Sequence, residues 1–239
     1  MTSTIKNMRK ILLAILFFSA IQFCPAQVLR HGIESNMTIY DLTWVCTGET
    51  LRVENTETQG ELTLIDGYWI TCQEITENLW NWYLHQRADS SMMPATGMTR
   101  QEAEQFCHQI SISVNRQWRL PTRSEWLFAY HGGIYNEGYA YSGSNKPLFV
   151  GWTSCNSGGT LHHGGERVPN EIGIYDMLGN VAEMVSDDTA TLYLGGSILD
   201  SPQQNPESYP APPPELIGLR IVSRDPIWFD SNGNRVFRQ

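Results

Sequence analysis

Basic residues are scarce in this chain. Sixteen Lys and Arg stand against 25 Asp and Glu in 239 residues, a formal net charge of −9. That balance argues against nucleic acid or an anionic membrane surface as the main partner. Charged residues make up 17% of the chain and hydrophobic ones 41%, so disorder is excluded and one sizeable core, or at most two small ones, is expected. Cysteines are few and stop early: Cys24, Cys46, Cys72, Cys107 and Cys155, with no C-x-x-C pair. A zinc knuckle and a thioredoxin-like motif are therefore not indicated. No internal repeat occurs, and the Pro-rich 202–214 is the one low-complexity stretch. G-x-S-x-G, H-E-x-x-H and phosphate-cradling glycine loops are all missing. What is abundant is Gly (20), Pro (12), Trp (8) and Tyr (10), which describes a loop-rich fold packed around aromatics.

The first 26 residues read differently from the rest. Lys6, Arg9 and Lys10 precede an apolar run from Ile11 to Phe23, followed by Cys24-Pro25-Ala26. A mostly apolar run of thirteen residues is too short to span a bilayer, and the pattern is that of a secretory signal peptide cleaved before Gln27. No later segment is long and apolar enough to span a membrane. The expectation is an exported protein that is periplasmic, outer-membrane-associated or secreted. Losing three basic and no acidic residues with the signal takes the net charge from −9 to −12. Four cysteines would remain, allowing three complete disulfide pairings, with buried free thiols as the alternative.

Local patterns predict an α+β chain with its helices early. Short β-type runs occur at Leu42–Val45 and Leu62–Ile65. Thr76 opens a helix through Arg87 that carries Leu79, Trp80, Tyr83 and Leu84 on one face. Thr99 with Glu102, and Thr122 with Glu125, form capping boxes that start two more helices. The second carries the stripe Ala103, Phe106, Cys107 and Ile110. The third runs through Trp126, Leu127 and Ala129 and stops at Gly132-Gly133. Arg119 and Glu125 are expected to form a surface pair worth about 0–1 kcal/mol. Loops and short strands fill the second half.

Several segments occur in an order with a precedent. They are Gly67-Tyr68-Trp69-Ile70 with Glu74-Ile75-Thr76, then Ala103–Cys107, Arg119-Leu120-Pro121-Thr122 with Glu125-Trp126, Pro169–Met177, Leu178-Gly179-Asn180-Val181-Ala182-Glu183, Gly195-Gly196-Ser197 and Gly218-Leu219-Arg220. In these the chain resembles the formylglycine-generating enzyme family, or sulfatase-modifying-factor domain, over about residues 40–224. The resemblance implies a variant of the C-type lectin fold, as a single domain over 27–239 with a short tail at 225–239. That tail, with Trp228, Phe229 and a Ser231–Asn234 turn, reads as a short hairpin.

The resemblance also implies metals. A calcium ion would be held by side-chain oxygens of Asp176 and Glu183 and backbone carbonyls of Gly179 and Val181, the hard and irregular shell that calcium takes. A second calcium site would begin near Asn156, but 157–165 lacks the acidic partner. Catalytic relatives oxidise a substrate cysteine with copper held by two of their own thiolates, soft ligands that oxygen cannot replace. Those thiolates follow the G-G-S segment, at positions held here by Asp200 and Asn205. Copper is therefore not expected, and the domain reads as a pseudoenzyme. His162-His163 reads as a pair of exposed loop histidines.

Binding is the remaining role. Late loops build the irregular face of such a fold, and 198–217 is Pro-rich with Tyr209 as an amphipathic contact. Ser197, Asp200, Asn205, Tyr209, Trp152 and His162 are expected to line a binding surface for a protein, peptide or glycan. Tyr139 and Tyr141 would flank it. Domains of this type occur in gliding and secretion machinery, so the resemblance implies a cell-envelope partner. Two other readings stand beside a binding or assembly module: a thiol oxidase with an atypical metal site, and a lectin-like display module.

Overall fold

The computed structural model describes residues 67–87, 89–186 and 191–224, together with the strand backbones at 31–34, 39–45, 50–54, 59–63, 228–229 and 235–236. The expected signal segment and Cys46 lie outside the described residues. In chain order come β1 (His31–Glu34), β2 (Ile39–Val45), β3 (Thr50–Glu54), β4 (Gln59–Thr63) and β5 (Tyr68–Thr71). Three helices follow: α1 (Glu77–His85), α2 (Arg100–Val114) and α3 (Arg123–Tyr130). A single turn, α4 (Pro147–Val150), leads into β6 (Gly151–Trp152), β7 (Leu178–Gly179), β8 (Ala182–Ser186) and β9 (Thr191–Leu194). Then come β10 (Ile217–Gly218), β11 (Val222–Ser223) and the hairpin of β12 (Trp228–Phe229) with β13 (Arg235–Val236).

The helices begin where their threonines predict. Thr76, Thr99 and Thr122 are extended N-caps whose hydroxyls accept from the amides of Leu79, Glu102 and Glu125. Glu102 and Glu125 reach back to the cap amides, which completes both boxes. The cap is a contest settled within four residues, which makes it readable from the chain. α1 and α2 end at Gln86 and Asn115, both in the left-handed region.

The main sheet runs β1-β2-β5-β11, with Leu42 opposite Thr71 and Val222 opposite Ile70. β5 is buried on both faces. Trp69 enters one core cluster with Leu79, Phe106, Ile110, Leu219 and Ile221. Tyr68 and Ile70 enter a second with Trp126, Leu127, Tyr130, Ile174 and Val185. A strand buried on both sides shows no polar alternation, so β5 is invisible to periodicity. β8 bridges the same clusters through Met184 and Val185. It pairs antiparallel with β9 and parallel with β10. β6 and β7 run parallel and so close that a Cβ at Gly179 would lie 1.9 Å from the Trp152 carbonyl oxygen. Gly179 also has φ +78°, so glycine is required there for two reasons.

The Arg119–Glu125 pair departs from expectation. Glu125 is fully buried, and both its oxygens accept from Arg119 at 2.7 Å. Arg224 donates to it as well, at 3.0 Å. Burial alone would raise the Glu125 pKa, yet Arg119, the Thr122 amide and Arg224 together hold it below the ordinary carboxylate value. A depressed folded-state value means that its stabilisation is present above the unfolded value and lost as pH falls through the folded one. Glu125→Gln is expected to cost about 1–3 kcal/mol at neutral pH in urea unfolding. The deficit relative to wild type should shrink steadily once the pH falls below the ordinary carboxylate range.

Candidate functional site

Glu183 and Arg220 meet at the centre of the molecule, 1% and 0% exposed. Arg220 Nε and Nη2 each donate to a Glu183 oxygen at 2.5 Å, and Trp126 Nε1 adds a third bond at 2.6 Å. Arg220 also donates to the carbonyls of Thr71 and Tyr175. Burial would lower its pKa, but the charge and hydrogen bonds of Glu183 outweigh that and raise it. Beside this pair lie two more buried carboxyls, Glu74 and Asp176, 2% and 1% exposed. Asn180 Nδ2 donates to Glu74 Oε1 and the Gly165 amide to Asp176 Oδ2. Glu74 Oε2 and Asp176 Oδ1 have no partner. Burial first, then the charge of Asp176 and of Glu183, pushes Glu74 well above the usual range. Asp176 is pushed up to about 6, mainly by burial.

The expected calcium donors are thus unequally free. Asp176 keeps one oxygen open, while Glu183 is given over to Arg220 and Trp126. Glu74, which sequence reasoning passed over, supplies the second open oxygen. Its signal was its place in the Glu74-Ile75-Thr76 segment that carries part of the family resemblance, four residues after the apolar Tyr68-Trp69-Ile70. Asn156 turns inward, its Oδ1 accepting from the Thr153 amide at 2.8 Å and its Nδ2 donating to the Gly151 carbonyl at 3.0 Å. Among the described residues no group of three or more His, Cys, Asp or Glu is arranged to hold a metal ion.

The expected binding surface separates into two places. In the first, His162 stacks on Trp152 with ring centroids 3.5 Å apart and planes 6° from parallel. The Arg167 guanidinium lies 3.4 Å from the same indole, and groups so close can only occupy opposite faces. The indole is sandwiched. His162 Nε2–H donates to the Ser157 carbonyl at 2.9 Å, so His162 is a fixed, half-buried ring and only His163 is exposed as expected.

The second place is the loop after G-G-S. Ser197 is buried, because its amide and hydroxyl both donate to Asp200 Oδ2, at 2.8 and 2.7 Å. It is a turn residue beneath the surface. Asp200 also ties the loop to its neighbour, its carbonyl accepting from the Ser154 amide. Tyr209 packs over Gly196, whose missing Cβ would come within 2.6 Å of the ring. Its hydroxyl accepts from the Gln203 amide at 2.7 Å, and burial pushes its pKa up to about 12. Arg123 clamps Glu207 with two hydrogen bonds. Asn205 is exposed, its side chain accepting from the Glu207 amide. Leu199, 59% exposed, projects from this rigid frame. Tyr139 bonds to Glu137 at a separate turn.

The family model described as the sulfatase-modifying factor enzyme 1-like domain matches residues 36–224. The chain belongs to this family. Solved structures share the fold of this sulfatase-modifying-factor-type domain at low identity. Treponema denticola variable protein 1 is 18% identical, with a TM-score of 0.70 over 82% of this chain and 99% of that one. CarF is 20% identical, with a TM-score of 0.61 over 78% and 99%. PvdO from Pseudomonas aeruginosa is 16% identical, with a TM-score of 0.62 over 78% and 95%. The chaperone protein LppX of Paenibacillus barcinonensis is 39% identical over 83 aligned positions, 28% of this chain and 30% of that protein. The match thus spans under a third of that curated relative. The family and the mixed, loop-rich fold of short helices and strands agree with the sequence reading. Among the described residues no helix is long and apolar enough to cross a membrane. Cys72 and Cys107 are buried and Cys155 is exposed, with Cys107 and Cys155 free thiols.

Arg220→Met is expected to destabilise the domain by about 3–5 kcal/mol in denaturant unfolding, since it strands the Glu183 charge in the interior. Combining it with Glu183→Gln should recover much of that loss. Arg123→Ala should leave stability within about 1 kcal/mol of wild type while raising the rate of proteolytic cleavage inside 198–214 several-fold.

Proposed function

We propose that this member of the family is an exported, non-catalytic binding module of the cell envelope. It presents its 198–214 loop, beside the Trp152–His162 stack, to a protein, peptide or glycan. The observation that carries the reading is the orientation of Asp200. It stands at the first of the two copper-thiolate positions, and its carboxylate is spent on the Ser197 amide and hydroxyl. Asn205, at the second, caps the turn to Glu207. Neither offers the soft sulfur that holds Cu(I), and no cysteine follows Cys155.

The same bonds that occupy these residues make the loop rigid. Tyr209 on Gly196, Arg123 on Glu207, and the Ser154 and Asp200 backbones hold it before any partner arrives. A loop already ordered loses little entropy on binding, which suits display. LppX is named a chaperone protein, and chaperoning is work done on another polypeptide.

The test is chemical. Purified protein loaded with Cu(I) under oxygen is given a Cys-x-Pro-x-Arg peptide, and mass spectrometry follows the thiol-to-aldehyde loss. No conversion above a Ser197→Ala control, with no copper retained, is the expected result. Conversion above that control would overturn the reading and establish an oxidase with an unforeseen metal site.

A further inference from the structure

Among the described residues, six arginines form ion pairs with carboxylates, Arg119 and Arg220 among them. Lys146 and Arg167 form none there. Each lies on an aromatic ring instead, Lys146 Nζ 5.2 Å from the Phe149 centroid and the Arg167 guanidinium 3.4 Å from that of Trp152. Stacking uses the flat face of a guanidinium and leaves its in-plane N–H groups for a carboxylate. Arg167 Nε has no partner, and the neighbouring acid, Glu166, lies 3.7 Å from His162 Nδ1.

The two strips that carry these cations are adjacent. The Val168 amide donates to the Phe149 carbonyl at 2.9 Å, which sets 166–168 beside α4. Leu148, Phe149 and Val168 are 40%, 54% and 55% exposed there. An apolar centre edged by charge is the composition of a contact surface.

The occupant follows from what this surface leaves open. Opposite faces of the Trp152 indole are covered by His162 and Arg167, and Lys146 lies over the Phe149 ring. A sugar docks by laying its C–H face on an open aromatic face, which is poorly supplied here. An anionic membrane would meet the field of the whole chain, −9 in net charge, as well as these two cations. A peptide segment needs only local complementarity, carboxylates for the cations and apolar side chains for the centre.

We infer that the face formed by 146–149 and 166–168 binds an acidic, apolar peptide segment of a partner protein. Its carboxylates meet Arg167 and Lys146, and its apolar side chains cover Phe149 and Val168. This goes beyond the display role of the 198–214 loop and holds whether or not that loop binds anything.

A phage-displayed library of random dodecapeptides is panned against the wild-type protein and depleted on the Lys146→Glu, Phe149→Ser double variant. Enriched sequences are expected to combine Asp or Glu with aliphatic or aromatic residues. Such a peptide, made with a fluorophore, should bind about tenfold more weakly to Arg167→Gln and to Phe149→Ser, read by anisotropy. Its affinity should fall as salt rises. Lys146 and Phe149 are exposed, so their variants are expected to fold and to serve should Arg167→Gln disturb the indole stack. Leu199→Ser, in the 198–214 loop, should leave the affinity within about twofold of wild type. The inference is overturned if no peptide is enriched, if the enriched ones lack acidic residues, or if Lys146→Glu and Phe149→Ser bind them like wild type. Loss on Leu199→Ser alone would overturn it while supporting the loop as the binding surface. Binding to vesicles of anionic phospholipid that Phe149→Ser abolishes would overturn it in favour of a membrane.

Discussion

A buried guanidinium organises this domain. Arg220 lies between β10 and β11, yet its donors reach the carbonyl that ends β5, the carbonyl of Tyr175 and the carboxylate of β8. Those partners are 149, 45 and 37 residues away in the chain. A charge taken out of water is tolerated only when every donor is met, so these segments have one acceptable arrangement around it. The two hydrophobic clusters then pack on either side of β5 and β8. Burial of apolar surface drives collapse, and the arginine selects which collapsed form is native.

Features whose causes are local could be read from the sequence, and those with distant causes could not. The three helix starts at Thr76, Thr99 and Thr122 were legible because cap and box lie within four residues. The main sheet was half-legible: β2 contains the expected run Leu42–Val45, while β5, buried on both sides, has no alternation to detect. Glu125 was read as a surface residue because its second arginine, Arg224, is 99 residues away. Glu74 was missed for the same reason, its hydrogen-bond partner Asn180 being 106 residues distant. Ser197 was assigned to the surface because a G-G-S segment says nothing of an aspartate folding back from three residues on.

The motif residues that carry the family resemblance hold the frame: Arg119 bonds Glu125, Asn180 bonds Glu74, Arg220 bonds Glu183, and Gly179 lies where two backbones touch. Asp200 and Asn205 belong to the loop instead, their side chains accepting from the Ser197 and Glu207 amides within its turns. Frame and loop are held by different bonds, so one can vary without disturbing the other.

The mooring of the 198–214 loop has a consequence for how such a protein changes over time. Its fixings are made at Gly196, Ser197, Asp200, Glu207 and Tyr209, and the Pro206 carbonyl accepts from the Gly195 amide. Between them, Leu199, Gln203 and Gln204 face solvent, and Gln203 contributes only main-chain atoms to the frame. Substitutions at those three positions would alter the chemistry on display without disturbing a mooring. The surface of the loop can therefore change in chemistry while the fold stays constant, because the positions free to vary are not the ones that hold it.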